Sequence, residues 1–514
     1  MNNSISSETH AKMVEVLAPV PEVKSDTPQF SLDSIEKYLE LYWIHFDPLY
    51  PIFHNPTFVS NNVEAPLLIA IVTIGMAYSN DPKACSLAIA IHRKFRNIVF
   101  LMIGDQPQVP LWVHQTLLLT NYFDKMLGSS VQYDMSQFFH GTNIAMMHFS
   151  GYLKGTQEPD IREVTDQELA DKQWHEWIIF ETTKRTAFFA FVCDTQHATL
   201  FRHSPILSAF EVRLELPSTD ACWAAPNGLE FIKKYKEQRE AAKISNLSRE
   251  NITRSRLLDT KDSMIPPQAQ EQAKLQNAQG SSSTTNQEVT WPFFLHSLKH
   301  LIRLSTDDQM QFHLATFSPF SCFILLHGLL SICWDMQWRG LLDMGIVSKR
   351  RMGEFKTRLE ASFKNWKDYF DYQLSKSNMP PINSTVVRAV GLPNVMMIPE
   401  MNNYASNSPM ICSNWAMFQL GLLALHVDTM SLRINAGSPN VLGRKIREID
   451  RENSSKAVRQ WANSDDGGLA TWYSLQFMRA VTENEAILDQ AVHIPWGVYL
   501  ASLTIWSYEC YNDG

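Results

Sequence analysis

Trp174-His-Glu-Trp-Ile-Ile-Phe-Glu-Thr-Thr-Lys-Arg185, followed by Phe188 and Val192, is the stretch that decides the fold class. Trp174, Trp177, Ile178, Glu181, Arg185, Phe188 and Val192 recur mostly at steps of three and four. That spacing lines one face of an α-helix, which turns once in ~3.6 residues, and it predicts a helix from about Asp171 to Ala198. Glu181 precedes Arg185 by four positions, the order in which an acid and a base pair best along a helix. Trp174, Trp177, Glu181 and Arg185 are therefore expected to be structural residues. No residue receives a catalytic, cofactor-binding or metal-binding assignment.

On the N-terminal side, Ile35, Tyr38, Leu39 and Tyr42 share one helix face, with capping-box spacing between Asp33 and Glu36. Pro48, Pro51 and Pro56 then force an extended segment, and Pro66 opens a second helix. Further helices are predicted over about Cys85–Phe100, after Pro110, and over about Phe138–Leu153. Residues 1–30 are polar and lack the basic-then-apolar order of a secretion signal; they are expected to form a disordered leader.

On the C-terminal side the composition changes at Lys233. A basic run gives way to Pro266-Pro-Gln-Ala-Gln270, a glutamine-rich tract and Gly280-Ser-Ser-Ser-Thr-Thr-Asn286. Such a stretch cannot bury enough apolar surface to offset its ordering entropy. Residues 233–290 are thus expected to be a flexible polar insertion between an N-terminal half, 31–232, and a C-terminal half, 291–514. An irregular break is expected from Asn378 to Pro409. Ser318-Pro319 reads as an N-cap and first-turn proline, opening a core helix of about four turns, apolar all round, rather than a membrane span. Nothing alternates with period two over a useful length. The expected fold is all-α: a large helical array in two halves joined by a disordered insertion.

Composition excludes several classes. Lys and Arg number 45 against 53 Asp and Glu, a net charge of −8, which does not suit a surface devoted to gripping phosphates. Glycine, 20 of 514 residues, is too scarce for folds built on phosphate loops and tight βα turns. The seven cysteines include no pair two to four apart, so no zinc finger or zinc cluster can be built from local ligands. A disulfide scaffold does not fit so long and cysteine-poor a chain.

Candidate chemistry is sparse. His296 and His300 stand four apart, but Ser297 occupies the place where a metalloprotease has glutamate, and no third ligand is identifiable. The chain has no nucleophile elbow, phosphate loop or dinucleotide-binding turn. Asp307-Asp308 and Asp465-Asp466 read as solvated turns, Leu326-x-x-Leu329-Leu330 as core, and Ser348-Lys-Arg-Arg351 and Lys233-Lys-Tyr-Lys236 as solvated basic clusters.

Several longer strings carry a resemblance. Tyr42-Trp-Ile-His-Phe-Asp-Pro-Leu-Tyr-Pro-Ile-Phe-His-Asn-Pro-Thr-Phe58 with Pro66-Leu-Leu-Ile-Ala-Ile-Val-Thr-Ile-Gly75 resembles the opening of the fungal-specific transcription factor domain, or middle homology region. The 174–185 helix, with Phe191 and Asp194, is similar to its central signature. Leu214-Glu-Leu-Pro217 and Cys222-Trp-Ala224 resemble its Leu-Pro turn and Trp-x-Ala. Leu325-Leu-His-Gly-Leu-Leu-Ser331 and Pro495-Trp-x-x-Tyr-Leu-Ala-Ser-Leu-Thr-Ile-Trp506 resemble the C-terminal half of the subtype usually joined to two-Cys two-His zinc fingers.

The resemblance implies an α-helical regulatory region in a nuclear transcription regulator, many of which control nutrient use or the gene cluster of one secondary metabolite. The first cysteine is Cys85, so no finger ligand carries over. The expectation is a pathway-specific regulator, not an enzyme, that lacks its own fingers and acts through a DNA-bound transcription factor or coregulator. It would touch DNA indirectly, need no cofactor or metal, and stay off membranes; a homodimer is open. The alternative is a cytosolic small-ligand-binding protein or enzyme on the same scaffold.

Overall fold

A computed structural model of the chain describes residues 4–103, 109–259, 292–303, 317–338, 349–376, 408–441, 444–483, 488 and 491–512. Among these, seventeen α-helices supply nearly all regular structure. The strands described are a two-residue antiparallel ribbon, β1 (Asn440–Val441) with β2 (Arg444–Lys445). A single antiparallel bridge also joins Glu215 to Phe293.

The N-terminal half comprises α1 (Ser7–Val16), α2 (Leu32–His45), α3 (Ala65–Ala77), α4 (Pro82–Ile103), α5 (Leu111–Met126), α6 (Ser130–Phe149), α7 (Gln167–Phe201), α8 (Asp220–Trp223) and α9 (Gly228–Asp259). α3 is apolar on every side, and each residue from Pro66 to Met76 is buried, as befits a helix enclosed by α1, α2, α4 and α5. α7 is the spine. Its 35 residues end where Arg202 takes a left-handed conformation, φ 64°, which turns the chain sharply.

The C-terminal half comprises α10 (Phe294–Arg303), α11 (Pro319–Trp338), α12 (Lys349–Lys376), α13 (Pro409–His426), α14 (Thr429–Asn435), α15 (Glu448–Ala462), α16 (Asp465–Glu483) and α17 (His493–Tyr511). The Ser318 hydroxyl accepts from the Ser321 backbone N–H at 3.1 Å, so the cap expected from sequence is present. α11 runs 20 residues, longer than the four turns expected. Among the described residues it is also the single unbroken helix long and apolar enough to cross a membrane, but 72% of that stretch is buried within the protein, so it is a core helix.

The two halves share one core. α7 packs against α11, and Phe188 and Phe191 meet Phe294 at ring-centre distances of 5.7 and 5.4 Å. Phe201 meets Trp496 at 4.8 Å. One continuous apolar cluster extends from Ile5 to Ala501.

The structure corrects two expectations. The leader is ordered from Ser4: Ile5, Thr9, Met13 and Leu17, spaced by four, form a buried stripe of α1 and its flanks. Thr9 donates to Asn61 at 2.8 Å and Glu36 accepts from the Ile5 N–H at 2.9 Å, so Glu36 ties down the N-terminus instead of completing a capping box. The charges of Glu8, Lys12 and Glu15 face away from the stripe and mask it in a reading by composition. The insertion does not start at 233 either, because α9 continues to Asp259. Residues 260–290 of that insertion, the 377–407 part of the expected break, Asp307-Asp308 and Ser348 lie outside the described residues.

Candidate functional site

Glu181, Lys184 and Arg185 share one face of α7, and neither Glu181 nor Arg185 has any exposure. The Arg185 Nε donates to Glu181 Oε1 at 2.9 Å, its Nη1 to the Pro51 carbonyl at 3.3 Å and its Nη2 to the Ser218 carbonyl at 3.2 Å. The Ser218 N–H and hydroxyl donate to the same Glu181 oxygen at 2.9 and 3.0 Å. The Lys184 Nζ stands 2.8 Å from Glu181 Oε2. One ion pair thus ties the proline-rich segment and the Leu-Pro turn to the spine. Burial alone would raise the Glu181 pKa, but the Lys184 and Arg185 charges outweigh it and hold the carboxyl at about 2. Asp47 nearby has a buried Oδ1 with no hydrogen-bond partner, and burial pushes its carboxyl up to about 8.

The two tryptophans of the motif converge on the same place. The Arg185 guanidinium lies 4.1 Å from the centre of the Trp223 ring, within cation–π range. Trp177 packs against Phe231 at 4.4 Å and Trp223 at 6.3 Å, while Trp174 meets the edge of His54 at 5.5 Å. All four expected structural residues therefore meet around the Cys222-Trp223 segment.

A second buried polar network, which periodicity did not reveal, lies about two and a half turns further along α7. Asp194 accepts from His140 Nε2 at 2.5 Å and from the backbone N–H groups of Ile206 and Leu207 at 2.9 and 2.7 Å, pinning the chain after the left-handed turn. The His197 and His203 rings stack at 4.3 Å. Lys125 is buried beside them with no hydrogen-bond partner for its Nζ, and burial depresses its pKa to about 7. The mid-helix polar residues Lys125, His140 and Asp194 were its only trace in the sequence.

The other motifs separate. Leu326, Leu329 and Leu330 are core, as expected. His296 and His300 lie on α10 beside Lys299 and Arg303, around an open groove of ≈ 560 Å³. Asp466 is not simply solvated: it accepts from His426 Nδ1 at 2.9 Å and pairs with Lys356. All seven cysteines are free thiols. Among the described residues no group of three or more His, Cys, Asp or Glu side chains is placed to hold a metal ion. The described networks fasten loops to helices and pair the charges of Glu181, Lys184 and Arg185 inside the core; they present no nucleophile activated by a base.

Comparison with known proteins agrees with this architecture. The chain is 27% identical over 94% of its length to the nicotinate catabolism cluster-specific transcription factor of Emericella nidulans, covering 48% of that protein. It is 25% identical over 99% of its length to the zinc finger protein klf1 of Schizosaccharomyces pombe, covering 56%, and 24% identical over 93% to zas1 of the same yeast, covering 45%. The chain therefore spans about half the length of the curated relatives it matches. No solved structure matches it. Residues 39–368, well over half of the chain, match the fungal specific transcription factor domain, and the chain belongs to that family.

Proposed function

We propose that this chain is the helical regulatory region of a nuclear, pathway-specific transcription regulator that reaches its promoters through a DNA-bound partner protein. The observation that carries this reading is the family match over residues 39–368, together with likeness along 94% of the chain to a factor named for one catabolic gene cluster. The partner-dependent part is supported by the net charge of −8, since non-specific DNA affinity comes mainly from clustered Lys and Arg. The family and its relatives are transcription factors, which agrees with a non-enzymatic role.

Chromatin profiling of the tagged chain, read beside transcripts of a deletion strain, tests the proposal. Enrichment at a few promoters whose genes change would support it, and those genes would show whether the cluster makes a secondary metabolite or degrades a nutrient. Absence from chromatin with unchanged transcripts would overturn it. Tight, sequence-specific binding of a promoter duplex by the purified chain alone would overturn its partner-dependent part.

A further inference from the structure

A cavity of ≈ 300 Å³ lies between the 152–158 loop and α7, at the lower end of the range for small-molecule sites. Its apolar walls are the rings of Tyr152, Phe180 and Phe293, the last 41% exposed at the rim. Its floor is the extended stretch that carries the Glu215–Phe293 bridge. Along an extended chain, residues two apart leave on the same side. Leu214 and Leu216 are buried, 4% and 0% exposed, and Arg213, Leu214 and Glu215 all line the cavity, the two charged residues from Cα positions about 6.6 Å apart.

The polar groups are unequally satisfied. Glu158 pairs with Arg239, and Lys184 is held by Glu181 while its Nζ lies 4.8 Å from the centre of the Phe180 ring. The Oε2 of Glu215 is shut off from water and has no hydrogen-bond partner. Burial raises the pKa of that carboxyl, the mark of an acceptor without a donor. The loop is set closely over this floor: Gly155 has φ 81°, and a Cβ there would come within 3.2 Å of Leu214 Cδ2.

We propose that this cavity binds a small amphoteric molecule of the aromatic amino-acid class, its ring against Phe180 and Phe293, its ammonium on Glu215 and its carboxylate on Arg213. An ammonium matches the charge of the Glu215 carboxylate, and a carboxylate two bonds away from it matches the guanidinium on the neighbouring same-side position. An anion alone would meet Glu215, and a cation alone would meet Arg213 and Lys184. The occupant would sit one ion pair from the Glu181–Arg185 hub, through Lys184. Binding is read on the purified chain, so its outcome is independent of whether the chain regulates transcription.

The test is isothermal titration calorimetry of the full chain with L-phenylalanine, 3-phenylpropionate and 2-phenylethylamine. L-Phenylalanine should bind at one site, and each truncated probe at least about tenfold more weakly, because it leaves one of the two charges at the cavity unmatched. Glu215→Gln should weaken L-phenylalanine about tenfold or more without weakening 3-phenylpropionate, and Arg213→Gln should do so without weakening 2-phenylethylamine. Thr183→Trp, which fills the cavity, should abolish binding of all three; circular dichroism and thermal melts confirm that each variant is folded. Three results would each overturn the proposal: no saturable binding of L-phenylalanine up to about 10 mM, equal binding of the three probes, or unchanged affinity in folded Glu215→Gln.

Discussion

A Cβ built on Gly75 would stand 1.9 Å from the carbonyl oxygen of Tyr38. α2 and α3 touch backbone to backbone at this point, and the contact exists only because residue 75 has no side chain. Gly75→Ala is therefore expected to cost about 3 kcal/mol or more, beyond the gain that alanine normally brings to a helix. Gly353 in α12 has nothing within 4 Å of such a Cβ, so Gly353→Ala should stabilise by about 0.5–1 kcal/mol. Urea denaturation of the two variants should show shifts of opposite sign.

Removing Arg185 should be severe, because it takes one of two cations from the buried Glu181 and strands the Pro51 and Ser218 carbonyls in the core. Arg185→Met is expected to lose about 3–5 kcal/mol. The Glu181→Ala/Arg185→Ala double variant should also be clearly destabilised, since the Ser218 N–H and both carbonyls remain unpaired. A double variant with the stability of the parent in a thermal melt would refute the structural role of the pair.

The same pair sets an acid limit. The folded Glu181 carboxyl sits at about 2, below the ~4.3 of an unfolded glutamate. Its contribution is therefore complete above the unfolded value and is lost as pH falls toward the folded one. About 3 kcal/mol should disappear between roughly pH 4.5 and pH 2. Glu181→Gln should be less stable at neutral pH and should show a shallower loss across that window when denaturant midpoints are compared.

Lys125 should act in the opposite direction. Its folded pKa, about 7, lies below the ~10.4 of an unfolded lysine, so the unfolded chain binds the proton more readily. The resulting penalty is full below the folded value and fades as pH rises toward the unfolded one. Stability should consequently rise from pH 7 to pH 9, and Lys125→Met should gain at least about 1 kcal/mol at pH 7 and flatten that rise. Chemical denaturation at the two pH values checks both statements.

Thiol reactivity should sort by depth. Cys510 is exposed, whereas Cys222, Cys322, Cys333 and Cys412 are buried, with burial pushing their thiols up, to about 11 for Cys222 and Cys412. An aromatic disulfide reagent should label Cys510 rapidly in the native protein and reach those four only on unfolding.

The sequence by itself determined the helical class, the course of α7 and the i,i+4 pairing of Glu181 with Arg185 along it. Helical periodicity and i,i+4 pairing are local, so they survive reading along a single line. It was blind to the order in the first thirty residues, where charges on the exposed side of α1 hide the stripe from Ile5 to Leu17. Tertiary structure alone decided that Arg185 reaches Pro51, 134 positions away, that Asp194 is shared between His140 and the turn after Arg202, and that Arg213 and Glu215 open into one cavity. Those partners come from distant segments brought together by burial of a common core, and no local spacing encodes which distant oxygen a buried charge will find.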